Sequence, residues 1–100
     1  MNKRLRKKKK VQEFVVYGQQ ITFEINTSYE KFFDECIPIV EGQKAGLYGG
    51  LARGKGDFML ELGSDKPALK LFRISKWFRA NPNITNYQEI GSLFDVNKDY

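Results

Sequence analysis

Seven cations crowd the first ten residues: Lys3, Arg4, Arg6, Lys7, Lys8, Lys9 and Lys10, with no acid among them. The chemistry open to such a run is neutralisation of a polyanion. Dense like charge repels itself and has no apolar surface to bury, so the sequence predicts a disordered basic arm over residues 1–12 that orders only against a polyanion. Nucleic acid is the expected polyanion, because each neutralised phosphate releases condensed counterions. A solubilising tail and a nuclear-import signal are the other readings of such a run. The chain holds 17 Lys+Arg and 12 Asp+Glu, a net of +5; beyond residue 10 there remain 10 cations and the same 12 acids, a net of −2. The excess basicity therefore belongs to the arm, and the body tied to it is slightly acidic.

The other residue types argue against chemistry of the chain's own. There is no histidine and a single cysteine, Cys36, so Ser-His and Cys-His catalysis and Cys/His metal sites have no residues to use. Gly54-Lys55-Gly56 is followed by Met59 where a G-x-G-x-x-G loop needs glycine, and no G-K-S/T run exists. Asn26-Thr27, after the first clear strand, has no arginine for the anion loop of a small phosphatase. The expectation is a non-enzymatic protein with no cofactor and no small-molecule substrate. One thiol forms no internal disulfide, the basic start is not followed by an apolar signal region, and no run approaches the ~20 apolar residues of a membrane span. This reads as a cytoplasmic protein with no membrane partner.

Hydrophobic patterning supplies the scaffold. Residues 13–100 are expected to form one α+β domain. Glu13 to Tyr17 reads equally as a strand or a turn. Gln20 to Ile25 alternates, with Ile21, Phe23 and Ile25 on one face. Thr27-Ser28-Tyr29-Glu30 matches a capping box with Thr27 as cap. The helix it opens runs to Ile37 or Val40, with Tyr29, Phe32, Phe33, Cys36, Ile37, Ile39 and Val40 in one arc and Pro38 ending or kinking it. A glycine-rich strand follows within 45–52, then a turn at Arg53-Gly54-Lys55-Gly56. Asp57 to Leu62 alternates, with Phe58, Leu60 and Leu62 inward and Asp57, Met59 and Glu61 outward. After Gly63-Ser64-Asp65, which offers a cap, a second helix opens at Lys66-Pro67 and runs to Ala80. Tyr87 to Val96 is the last strand, with Ile90, Phe94 and Val96 on one face. The order β-α-β-β-α-β predicts a ferredoxin-like split βαβ fold, two helices on one face of a four-stranded antiparallel sheet.

Such a fold invites comparison with RNA-binding modules, whose third strand carries aromatics for stacking bases. Here Lys55-Gly56 fits that pattern, but Asp57 and Met59 stand at the stacking positions. An outer sheet face bearing Glu24, Asp57, Glu61, Glu89 and Asp95 would repel phosphate. The second helix is better suited. Lys66, Lys70, Arg73, Lys76 and Trp77 share one side, opposite Ala68, Leu71, Phe72, Ile74 and Phe78. Trp77 has two readings: a ring folded over a neighbouring element, or a stacking anchor among phosphate-binding cations. Arg53 and Lys55 in the turn are a further RNA-binding pair.

Arg4-Leu5-Arg6-Lys7-Lys8 followed by Glu13-Phe14 and Gly18 resembles the opening of the YggL-type bacterial proteins, which bind the large (50S) ribosomal subunit. The glycine-rich segment 46–56, Lys76-Trp77, and Gly91-Ser92-Leu93-Phe94-Asp95-Val96 are similar too; Asn97-Lys98-Asp99 stand before Tyr100 where the family carries an aromatic directly after Asp-Val. The resemblance implies ribosome association and no catalytic residues. The expected function is an accessory protein of the 50S subunit, with rRNA as partner and ribosomal proteins as further candidate partners. A protein-interaction adaptor using acidic surfaces on a basic partner, and a general RNA-binding module, are the alternatives.

Overall fold

The computed structural model describes residues 15–99; the arm expected over 1–12 lies outside them. The elements in chain order are β1 (Tyr17–Ile25), α1 (Tyr29–Gly42), β2 (Gly46–Ala52), β3 (Lys55–Gly63), α2 (Pro67–Ala80), β4 (Ile84–Asp95) and the single turn α3 (Val96–Asp99). The strands form one antiparallel sheet in the order β2-β3-β1-β4. The α+β class and the β-α-β-β-α-β order follow the sequence expectation.

The core lies where the two clearest alternations meet. Ile21, Phe23 and Ile25 of β1 and Phe58, Leu60 and Leu62 of β3 are buried on one sheet face. Both helices cover that face. Phe32 of α1 and Phe78 of α2 each pack on Phe23, with ring centroids 5.3 and 4.9 Å away. Cys36, Val40 and Ile74 complete the layer. Each such side chain contributes about 1.5–3 kcal/mol by leaving water.

The helix ends depart from the sequence expectation. Ser28, not Thr27, caps α1, its Oγ accepting from Lys31 N–H at 3.2 Å. With Lys31 three residues on, there is no carboxylate for the reciprocal half of a capping box. Pro38 lies inside α1, which continues to Gly42. Pro38 is on the exposed side, where water can replace the lost backbone donor. α2 opens without the expected Ser64 or Asp65 cap: Lys66 holds the N-cap position at φ 48°, ψ 53°, with no side-chain capping bond.

The β2–β3 turn is tighter than expected. Ala52 pairs with Lys55, so only Arg53 and Gly54 are outside the ladder. Their φ angles of 54° and 78° are the left-handed pair of a type I′ hairpin. In β2 itself, Gly49 at φ 146° lies so close to β3 that a Cβ there would be 2.2 Å from the Asp57 carbonyl oxygen.

The last strand is longer than expected and its faces are reversed. It begins at Ile84, opposite Ile25, and Val96 already belongs to α3. Ile90 is 46% exposed. Phe94 and Val96 do not enter the helix-covered core; with Met59 they converge above Gly18, whose added Cβ would meet Val96 Cγ2 at 2.8 Å and Met59 Sδ and Phe94 Cζ at 3.0 Å. Met59, expected to face solvent, is buried there. The cause is irregular pairing. The β1–β4 register shifts between Gly18 and Gln20 and again between Thr22 and Glu24, and each shift breaks strict alternation. The Gln19 amide fills the first irregularity, donating to the carbonyls of Ile90 at 3.2 Å and Gly91 at 3.1 Å.

Candidate nucleic-acid interface

The basic residues of α2 divide into three settings. Lys70 is half-buried, and its Nζ donates to the Leu62 carbonyl at 3.0 Å, tying α2 to the end of β3. Arg73 is exposed and donates from Nη1 to Gln43 Oε1 at 3.3 Å, reaching across to the C-terminal end of α1. Lys76 is exposed.

Trp77 is half-buried, with its ring 5.1 Å from that of Phe78 and 6.4 Å from that of Phe32. The expected wheel had it turned away from Phe78. Phe72, expected in the core arc, is instead 62% exposed. Rotation of the helix explains both: Ile74, Ser75 and Phe78 face the sheet, which brings Trp77 to the core boundary and turns Phe72 out. The outer edge of Trp77 borders a depression shared with Glu35, Asn81, Pro82 and Asn83.

A groove lies between the end of α1 and the start of α2. Lys44, Lys66, Lys70 and Arg73 line it, with Gln43 and Asp65 as the other polar side chains. Lys44 was missed by the helical-wheel reading because it follows α1 rather than lying on α2. Its position two residues after Gly42, at a helix end, was the available signal.

The hairpin cations stand elsewhere. The Gly54 N–H donates to the Tyr29 hydroxyl at 3.2 Å, holding the tip beside the first turn of α1. Tip and groove therefore lie at opposite ends of α1, whose 14 residues span roughly 20 Å. Lys55 is exposed and faces Glu24, Asp57 and Asn86 in a shallow groove on the uncovered sheet face.

That uncovered face is less acidic than expected. Glu24 accepts from Asn86 Nδ2 at 2.6 Å, and Asp57 accepts from the Gln20 amide. Glu89 faces the helices: it pairs opposite buried Ile21, accepts from the Tyr87 hydroxyl at 3.0 Å and lies 4.0 Å from Arg79 of α2. Asp95 accepts from Asn97 N–H at 3.0 Å at the start of α3. Burial and the adjacent Glu89 carboxylate push the Tyr87 hydroxyl well above its usual range, with Arg79 opposing. Burial alone pushes the Cys36 thiol up to about 12, so it is a packed apolar group rather than a nucleophile. Among the described residues no helix is long and apolar enough to cross a membrane.

Comparison with curated proteins and comparison with solved structures yield no match. A family model described as YggL 50S ribosome-binding protein matches residues 3–98. The match takes in the cations of the arm, every strand, both long helices and the Gly91–Val96 ending, and the chain belongs to the YggL 50S ribosome-binding protein family.

Proposed function

We propose that this protein is a non-enzymatic cytoplasmic accessory factor of the large ribosomal subunit that holds rRNA through its phosphates. The observation that carries the reading is charge segregation: seven cations and no acid in residues 1–10, against a net of −2 in the rest of the chain. The arm supplies most of the affinity by following the phosphate backbone. The folded body, residues 13–100, acts as one domain and sets position. Lys70, Arg73 and Lys76 contact phosphates, the outer edge of Trp77 offers a stacking surface beside them, and Arg53 and Lys55 make a second contact from the hairpin. The sheet order β2-β3-β1-β4 supports placing the body among ferredoxin-like split βαβ folds. Its uncovered face, with Met59 buried and Asp57 and Glu61 at its surface, is turned away from RNA.

The test is co-sedimentation of the tagged full chain with 50S subunits across a salt series, beside a variant lacking residues 1–10. If ~4–6 arm cations touch phosphate, deletion lowers the log–log salt slope by roughly 3–5. The thermal midpoint stays nearly unchanged. Equal affinity and slope in the two proteins would refute the arm's role, and binding carried by ribosomal proteins alone would leave the adaptor reading.

A further inference from the structure

We infer that the groove between the end of α1 and the start of α2 is a phosphate site of the folded body that takes a backbone phosphate of RNA. It rests on the ribosome-binding reading above and extends the body's phosphate contact from α2 to a locus that includes Lys44 and Lys66. Four cations, Lys44, Lys66, Lys70 and Arg73, line this groove against one acid, Asp65, in a body whose overall charge is slightly negative.

The backbone shows that two of these cations stand where other residues fit better. Lys44 directly follows the Gln43 C-cap with φ 55°, its N–H bonded to the Glu41 carbonyl at 2.8 Å. Helices commonly close through glycine at this left-handed position. Lys66 is the N-cap of α2 at φ 48°, where Ser, Thr, Asp or Asn is preferred because the side chain can accept from the first amides. Lysine cannot accept, α2 has no acid in its first turn, and the helix start already carries positive partial charge. Both positions thus give up local helix stability to put an ammonium beside the same groove.

The other two cations are held in place. Lys70 is anchored on the Leu62 carbonyl and Arg73 on Gln43, which joins the two helices across the opening. The result is two positioned cations, two at the rim and a helix start without a side-chain cap, all toward one space. An anion there relieves the mutual repulsion and accepts from the charged donors at once. The groove is open and lies on the helical side of the body, away from Glu24, Asp57 and Glu61 on the opposite sheet face. This suits a phosphodiester passing across the surface.

The test is a Lys44→Gly, Lys66→Gly double variant of the full chain. Glycine relaxes both left-handed positions, so the thermal midpoint stays equal or rises, whereas 50S binding weakens several-fold and the log–log salt slope falls by about 2. A Lys31→Ala, Lys98→Ala variant removes the same charge from exposed positions elsewhere and is expected to change the slope less. Equal weakening in both variants would reduce the effect to net charge and overturn the site. Wild-type binding retained by the glycine variant would overturn it too. If in addition inorganic phosphate raised the wild-type midpoint but not the variant's, the groove would belong to a free anion. The arm deletion is measured alongside. A slope lowered only by the deletion removes the groove and leaves the arm, and a slope lowered only by the glycine variant does the reverse.

Discussion

The indole of Trp77 meets the ring of Phe78 edge-on, with centroids 5.1 Å apart and planes at 81°. Phe78 is fully buried and stacks in turn on Tyr87, 5.0 Å away, so Trp77 closes the rim of the core. Trp77→Ala is expected to cost about 2–4 kcal/mol in denaturant unfolding, short of the top of the range for a large aromatic because one edge meets water. Trp77→Leu retains most of the packing and removes the π face. It is expected to keep most of the stability and to bind 50S subunits more weakly. Undiminished binding by the leucine variant would confine Trp77 to packing.

The glycine-rich strand offers a paired test. Gly49→Ala would put a Cβ 2.2 Å from backbone at a φ of 146°, and backbone cannot yield as a side-chain tip does. It is expected to cost at least about 3 kcal/mol, through strain or displacement of β2 from β3. The neighbouring Gly50→Ala meets nothing within 4 Å and is expected to be neutral within about 0.5 kcal/mol. Thermal melts of the two variants check this, and similar midpoints would show that β2 lies differently.

Alkaline pH should destabilise the fold. The Cys36 thiol and the Tyr87 hydroxyl are neutral when protonated, and both have folded pKa values raised above the unfolded ones. The unfolded chain therefore releases these protons first as pH rises. Stability is full below Cys36's ordinary 9.0 and falls from there toward about 12, with Tyr87 adding to the loss above its ordinary 10.0. One group titrating only in the unfolded chain lowers stability by about 1.4 kcal/mol per pH unit. Urea unfolding of wild type and Cys36→Ala between about pH 8 and 10.5 measures this, the variant giving the flatter curve. Native protein at neutral pH is also expected to resist thiol reagents until unfolded.

Substitutions on the uncovered sheet face should separate packing from binding. Met59 is 8% exposed beneath Phe94 and Val96, so Met59→Ala is expected to cost about 2–3 kcal/mol. Glu61→Ala removes a carboxylate from the same strand and should leave 50S binding equal or slightly tighter. A marked loss of binding by Glu61→Ala, with an unchanged melt, would make this face the contact surface.

Legibility followed local regularity. Ile21–Ile25 and Phe58–Leu62 announced buried strands because period-two alternation meets one covered face. β4 misled because two register shifts against β1 turn Phe94 and Val96 to the other side, and only the partner strand sets that. The α2 wheel was wrong at Phe72 and Trp77 because a flat count of apolar residues does not fix the rotation of a helix. The Phe23 and Phe32 rings, on which Phe78 packs, do. Of the candidate site, Lys66, Lys70 and Arg73 could be read from their spacing on one helix. Lys44 carried only the weaker signal of its place at a helix end, because it joins them only after α1 and α2 pack end to start.

The sheet order also has a kinetic meaning. β1 is made first and ends in the interior of the sheet, with Tyr17 opposite Asp95 and Ile25 opposite Ile84. Until residue 95 has been synthesised, one edge of β1 stays open, and α2 has no complete floor to rest on. Folding that waits on such distant partners is governed by chain closure rather than by helix formation. The sheet of a nascent chain therefore stays unfinished until β4 arrives.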